Sequence, residues 1–136
     1  MLDFRNDVTD ERGTVADEAT SQRLERSAAR SSQRACFRLQ VRPEKLDAYL
    51  AAHEHVWTDM RQALTDSGWQ HYSLFVRPED GLVVGYFETR PGTTVAEAMT
   101  AMSMHEVDAR WQASMAEFFT PTGGAPTLLS QYFYLP

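Results

Sequence analysis

Tyr49, His53 and Trp57 stand four residues apart in the stretch from Leu46 to Leu64. Residues at that spacing on a helix lie one above another on a single face. At about 100° per residue, Leu46, Tyr49, Leu50, His53, Val56, Trp57, Met60 and Leu64 form one stripe. An imidazole on such a stripe can act as a general acid or base, because histidine exchanges its proton near neutral pH. Aromatic rings that carry one polar atom suit sugars: the ring face packs against C–H groups while the O–H or N–H bonds a hydroxyl. The same three residues also fit a packed core in which His53 is satisfied by neighbours such as Tyr49, and periodicity alone favours that plainer reading.

Other chemistry is weaker in the sequence. His53-Glu54-His55 is not a metal site by itself, since residues two apart on a helix diverge by about 200°. Zinc would need further ligands from His71 or His105, and no H-E-x-x-H spacing occurs; no metal is expected. Tyr72 and Trp111 are further aromatics with a polar atom, equally readable as core. There is no glycine-rich phosphate loop and no serine or cysteine nucleophile motif, and Cys36 sits in a strand pattern as an inert thiol.

The elements that must position these residues follow from the patterning. Cys36 to Arg42 alternates apolar and polar as a half-buried strand, and Pro43 suits a helix start. One long helix is predicted over about 43–66, ended by Ser67-Gly68. Trp69 to Val76 reads as a strand with Tyr72, Leu74 and Val76 on one face. Pro78-Glu79-Asp80-Gly81 is a hairpin turn and Leu82 to Glu88 a third strand, in which Gly85 marks a bulge or a close backbone approach. Thr94 and Glu97 form a capping box. Ser103 and Glu106 repeat its spacing, so the helix is predicted to break near Ser103 and restart, running to about Phe119. Thr127 to Tyr134 closes the chain as a strand. The order βαββαβ is the ferredoxin-like arrangement, an α+β domain with one antiparallel sheet and helices on one face. Apolar residues fall on both sheet faces, so the uncovered face is expected to meet a ligand, a second subunit, or both.

Composition sets the bounds. The chain has 136 residues, enough for one core, and a hydrophobic share of 43%. A net charge of −6 argues against nucleic acid as the main partner. No stretch approaches a membrane span and the first residues lack an apolar signal core. The single cysteine rules out an intrachain disulfide, and a cytoplasmic location is expected. Residues 1–33 are dense in charged and hydroxyl side chains, and read as a disordered or loosely attached tail with a marginal helix over 16–30. The domain is placed at 34–136.

Taken together, several pieces resemble the L-rhamnose mutarotase family across residues 34–136: Arg34-Ala35-Cys36-Phe37-Arg38-Leu39-Gln40-Val41, Tyr49-x-x-x-His53-x-x-x-Trp57, Gly68-x-x-x-Tyr72-Ser73, Val107-x-x-Arg110-Trp111, and Phe133-Tyr134-Leu135-Pro136. The resemblance implies a dimeric α/β barrel of ferredoxin-like subunits that interconverts the α and β anomers of L-rhamnose without a cofactor. It makes His53 the proton donor, Tyr49 and Tyr72 substrate-binding tyrosines, and Trp111 the first of two adjacent binding tryptophans. Trp57 would wall the pocket. The sequence departs at Gln112, which stands where the second tryptophan is expected and can bond a hydroxyl instead of stacking. It departs again at Glu54-His55, where the family tends to have Asn-Pro.

On that reading a monosaccharide is the partner, with L-fucose or another 6-deoxysugar as the rival substrate. Two other classes compete. A cofactor-free oxygenase of the dimeric α/β-barrel type would consume oxygen. A non-catalytic sugar-binding module would bind without exchanging anomers.

Overall fold

The computed structural model describes residues 17–30 and 32–136. Four strands, β1 (Arg34–Gln40), β2 (Trp69–Arg77), β3 (Leu82–Thr89) and β4 (Thr127–Leu129), make one sheet in the order β2-β3-β1-β4. All neighbours are antiparallel. Five helices accompany it: α1 (Glu18–Arg30), α2 (Leu46–Glu54), α3 (Thr58–Asp66), α4 (Val95–Ser103) and α5 (Glu106–Met115). This is the ferredoxin-like α+β fold expected from the patterning. Among the described residues no helix is long and apolar enough to cross a membrane. Of the segment read as a tail, residues 1–16 and 31 lie outside the described residues, and Glu18–Arg30 form α1, within the range read as a marginal helix.

Strand alternation decides which residues the helices cover. Ala35, Phe37 and Leu39 of β1 and Val83 and Phe87 of β3 are buried against them, together with Met60, Ala63, Ala98, Met102, Val107, Trp111 and Met115 from the helices. Gly85 sits opposite Phe37, and a Cβ there would fall 2.3 Å from the Phe37 ring. Gly85 therefore marks a close approach. The bulge lies instead in β2, where the register shifts between Gln70 and Ser73.

Three expectations about element bounds need correction. The single helix over 43–66 is a 3₁₀ turn at Pro43–Lys45 followed by α2 and α3, with His55, Val56 and Trp57 between them. His55 (φ −135°, ψ 66°) and Trp57 (φ −53°, ψ 138°) leave helical geometry. Tertiary contacts from α5 hold the break: Trp111 and Trp57 pack perpendicular to each other with centroids 5.1 Å apart, and Arg110 reaches Asp59 at 3.0 Å. Local helix propensity is a weak term against such packing.

The second interrupted helix was placed correctly near Ser103, and the Thr94–Glu97 capping box is present. The restart, however, is capped at His105 without a side-chain bond, and the Ser103 hydroxyl donates to the Thr100 carbonyl. The last strand is also shorter than expected. β4 pairs Thr127–Leu129 with Arg38–Cys36, and β1 begins at Arg34, so residues beyond about 131 run past the end of the strand that β4 pairs with.

Candidate active site

A cavity of about 480 Å³ lies between the helices and the sheet, in the size range of small-molecule sites. Tyr49 and His53 of α2, Met60 and Leu64 of α3, Tyr72 of β2, and Trp111 and Gln112 of α5 all line it. Five of the six candidate residues thus meet from three separate segments. Trp57 does not line the cavity; it sits behind Trp111, with the Arg110 guanidinium 5.7 Å from its ring centre. The cavity is on the helix-covered face, lined by Phe37, Leu39 and Trp69, and not on the open face that the patterning offers to a ligand or a second subunit.

His53 is fixed through one nitrogen. Its Nδ1 lies 2.9 Å from the backbone carbonyl of Tyr49. A carbonyl only accepts, so Nδ1 carries hydrogen and Nε2 is the nitrogen left to exchange a proton. The imidazole packs obliquely on the Tyr49 ring at 4.5 Å and perpendicular to the Trp111 ring at 5.5 Å. Tyr49 is in turn held by Phe118 and Phe119 at 6.1 and 5.8 Å. Burial pushes its phenol up to about 12, above the ordinary 10.0, which keeps it a donor at neutral pH.

Tyr72 lies against Trp69, Phe87 and Phe37, at 5.1, 6.0 and 6.3 Å. It keeps 37% of its surface open. Burial is the first cause of its raised proton affinity, with electrostatic repulsion from the neighbouring Tyr49 and Asp108 adding to it. Trp69 anchors this wall by stacking on Phe87 at 3.7 Å and donating its indole N–H to the Ala98 carbonyl at 3.1 Å.

Asp108, fully buried one turn before Gln112, escaped the sequence reading. Its Oδ1 accepts from the Gln112 side-chain amide at 3.3 Å. A carboxylate flanked by Val107 and Trp111, four residues from a candidate site amide, was the available signal. Cys36 is a free thiol away from this cavity, and burial raises its proton affinity, in line with an inert role.

Residues 34–135 match the sequence signature of L-rhamnose mutarotase. The chain belongs to the L-rhamnose mutarotase family. An L-rhamnose mutarotase of Acidiphilium cryptum is 33% identical over 103 residues, which cover 74% of this chain and 95% of that protein. One from Bacillus subtilis is 33% identical over 98 residues, covering 70% and 90%. The crystal structure of an L-rhamnose mutarotase from Formosa agariphila superposes with a TM-score of 0.62 at 22% identity, over 77% of this chain and 100% of the other; at that identity the likeness speaks to the fold. The mutarotase family therefore frames the cavity. Its members named above are carbohydrate isomerases, and α1 lies outside the matched residues.

Proposed function

We propose that this protein interconverts the α and β anomers of L-rhamnose, with His53 as the proton-transferring group. The observation that carries this reading is the His53 imidazole, tied through Nδ1 to the Tyr49 carbonyl inside a cavity lined by Tyr49, Tyr72, Trp111 and Gln112. That arrangement leaves Nε2 as the working atom amid aromatic faces and hydroxyl-bonding groups, which is what a pyranose needs. Family membership supplies the reaction.

Mutarotation breaks the bond between the anomeric carbon and the ring oxygen, then closes it on the other carbonyl face. Opening needs one proton delivered to the ring oxygen and one removed from the anomeric hydroxyl. Protonated His53 delivers the first from Nε2. Tyr72, neutral, binds a hydroxyl or relays the second proton, passing its own to water as it takes the sugar's, and the roles reverse on closing. Trp111 stacks on the sugar with Trp57 bracing it from behind, and Gln112 bonds a hydroxyl. A positioned acid or base is worth about 10²–10⁴ in rate, enough for a reaction that already runs slowly in water. No step here calls for a cofactor.

The working unit is a homodimer in this reading. Phe75 of β2 and Leu129 of β4 are exposed at the two opposite edges of the sheet, and Tyr132, Phe133 and Leu135 on the final segment; such exposed apolar residues suit contact with a second copy. A cytoplasmic location fits the free Cys36 thiol.

The test is saturation-transfer NMR of the anomeric protons, with L-rhamnose, L-fucose and other 6-deoxysugars, using wild type and His53→Ala. Accelerated exchange of L-rhamnose by wild type, lost in the variant, is expected. Undiminished exchange by His53→Ala sinks the acid assignment. No acceleration of any sugar by wild type sinks the function.

A further inference from the structure

We propose that His71 is a positioning residue, which turns Tyr72 into the cavity by holding a left-handed bulge that Glu88 ties down. The inference rests on the sugar-binding reading of Tyr72 and deepens it.

The register makes the argument. Gln70 pairs with Glu88 and Ser73 with Tyr86, so three steps along β2 match two along β3. His71 and Tyr72 therefore share the place opposite Phe87. Directly opposed residues in a sheet point to the same face. Thr89, Phe87, Gly85 and Val83 are the buried, helix-facing set of β3, and their partners Trp69, Leu74 and Val76 share that face. Simple alternation from Trp69 would put Tyr72 on the other side, because the two differ by an odd number of residues. The extra residue reverses that. Trp69 and Tyr72 end on one face with ring centres 5.1 Å apart.

The conformation that admits the extra residue falls on His71, at φ +50°. Its place, first of the two bulged residues with a positive φ, is usually filled by glycine. A histidine pays for this geometry with strain that must be held from outside. Its Nδ1–H donates to Glu88 Oε2 at 2.5 Å, and the other Glu88 oxygen accepts from the Tyr86 hydroxyl at 2.8 Å. One carboxylate thus grips the bulged residue and the strand opposite it. The His71 side chain stands at the rim of the cavity and is largely exposed, at 74%, with its Nδ1 engaged by Glu88; its proposed role lies in the backbone, and substitution by glycine or asparagine separates that from any role of the imidazole.

The test separates backbone from imidazole. His71→Gly and His71→Asn tolerate a left-handed φ; His71→Val does not, and His71→Ala tolerates it poorly. Two readouts are taken on folded protein: anomer exchange of L-rhamnose, and the nuclear Overhauser contact between the Tyr72 and Phe87 rings. Glycine and asparagine variants are expected to keep the contact and to stay within about twofold of wild-type KM and kcat. The valine variant should lose the contact and fall to the activity of Tyr72→Phe, with the double variant no worse than either. If valine fails to fold, alanine is expected to weaken contact and rate in the same direction. Retention of the contact in the valine and alanine variants overturns the proposal, as does a loss in glycine equal to that in valine. If Tyr72→Phe leaves exchange unchanged, the sugar role of Tyr72 fails, and the ring contact alone judges the positioning.

Discussion

His53 Nδ1 lies 2.9 Å from the backbone carbonyl of Tyr49, one helical turn earlier in α2. The bond selects the ring nitrogen that does the work and holds the imidazole beside the Tyr49 ring. In nitrogen-15 NMR, neutral His53 is expected as the Nδ1–H tautomer with Nε2 bare. His53→Gln, which keeps a polar side chain without a transferable proton, should lower exchange by about 10²–10⁴. Finding the Nε2–H tautomer would dissolve this account of the acid.

Burial raises the proton affinity of Tyr49 and Tyr72, Tyr49 to about 12. Both phenols therefore stay neutral through the physiological range. The rate loss in Tyr72→Phe should be constant between pH 7 and 10. A folded value above the unfolded one means that the associated stability is complete below about pH 10 and is lost as pH rises toward 12 and beyond. Denaturant titrations should show that loss in wild type, and a smaller one in Tyr49→Phe.

Gln112 donates its amide to buried Asp108 at 3.3 Å. Because a carboxylate accepts only, the bond aims the amide nitrogen at Asp108 and leaves the carbonyl oxygen of Gln112 for a sugar hydroxyl. Gln112→Ala should raise KM for L-rhamnose about tenfold, the worth of one hydrogen bond, with little change in kcat. Asp108→Asn, which permits either amide orientation, should raise KM less. Gln112→Trp should shift the order of preference in the sugar panel. Unchanged KM in all three would remove Gln112 from the site.

Gly85 leaves no room for a methyl group beside the buried Phe37 ring. Gly85→Ala is expected to destabilise the fold by about 1–3 kcal/mol through overpacking. It should also weaken sugar binding, since Phe37 lines the cavity. Thermal denaturation with and without L-rhamnose separates the two effects; an unaltered melting temperature would contradict the close packing.

Sedimentation equilibrium should return the mass of two chains. Replacing exposed Phe75 and Phe133 with serine should shift the equilibrium toward one chain while leaving the far-ultraviolet dichroism unchanged. A monomeric wild type would end the homodimer reading.

The parts of the fold that rest on periodicity were legible. Strand alternation and the Thr94–Glu97 cap are local, and five of six candidate residues line one cavity. What escaped depends on contacts distant in sequence. Glu54-His55 contains no breaker, so nothing local showed that the helix stops at Glu54; α5 imposes the stop through Arg110 and Trp111. Trp57 was placed on the stripe by a periodicity that this break interrupts, and it braces Trp111 without facing the cavity. The β2 bulge carries no glycine, and only the shared face of Trp69 and Tyr72, three residues apart, betrays it. Asp108 was hidden because a buried acid among apolar neighbours looks like an exposed position in a pattern.

The protein contains three tryptophans. Trp69 and Trp111 line the cavity, and Trp57 meets Trp111 edge to face at 5.1 Å. Its tryptophan emission therefore comes from the neighbourhood of the site. Unlabelled protein should report its own occupancy optically, and the closely packed Trp57–Trp111 pair is expected to give near-ultraviolet dichroism that changes when a sugar shifts the Trp111 ring.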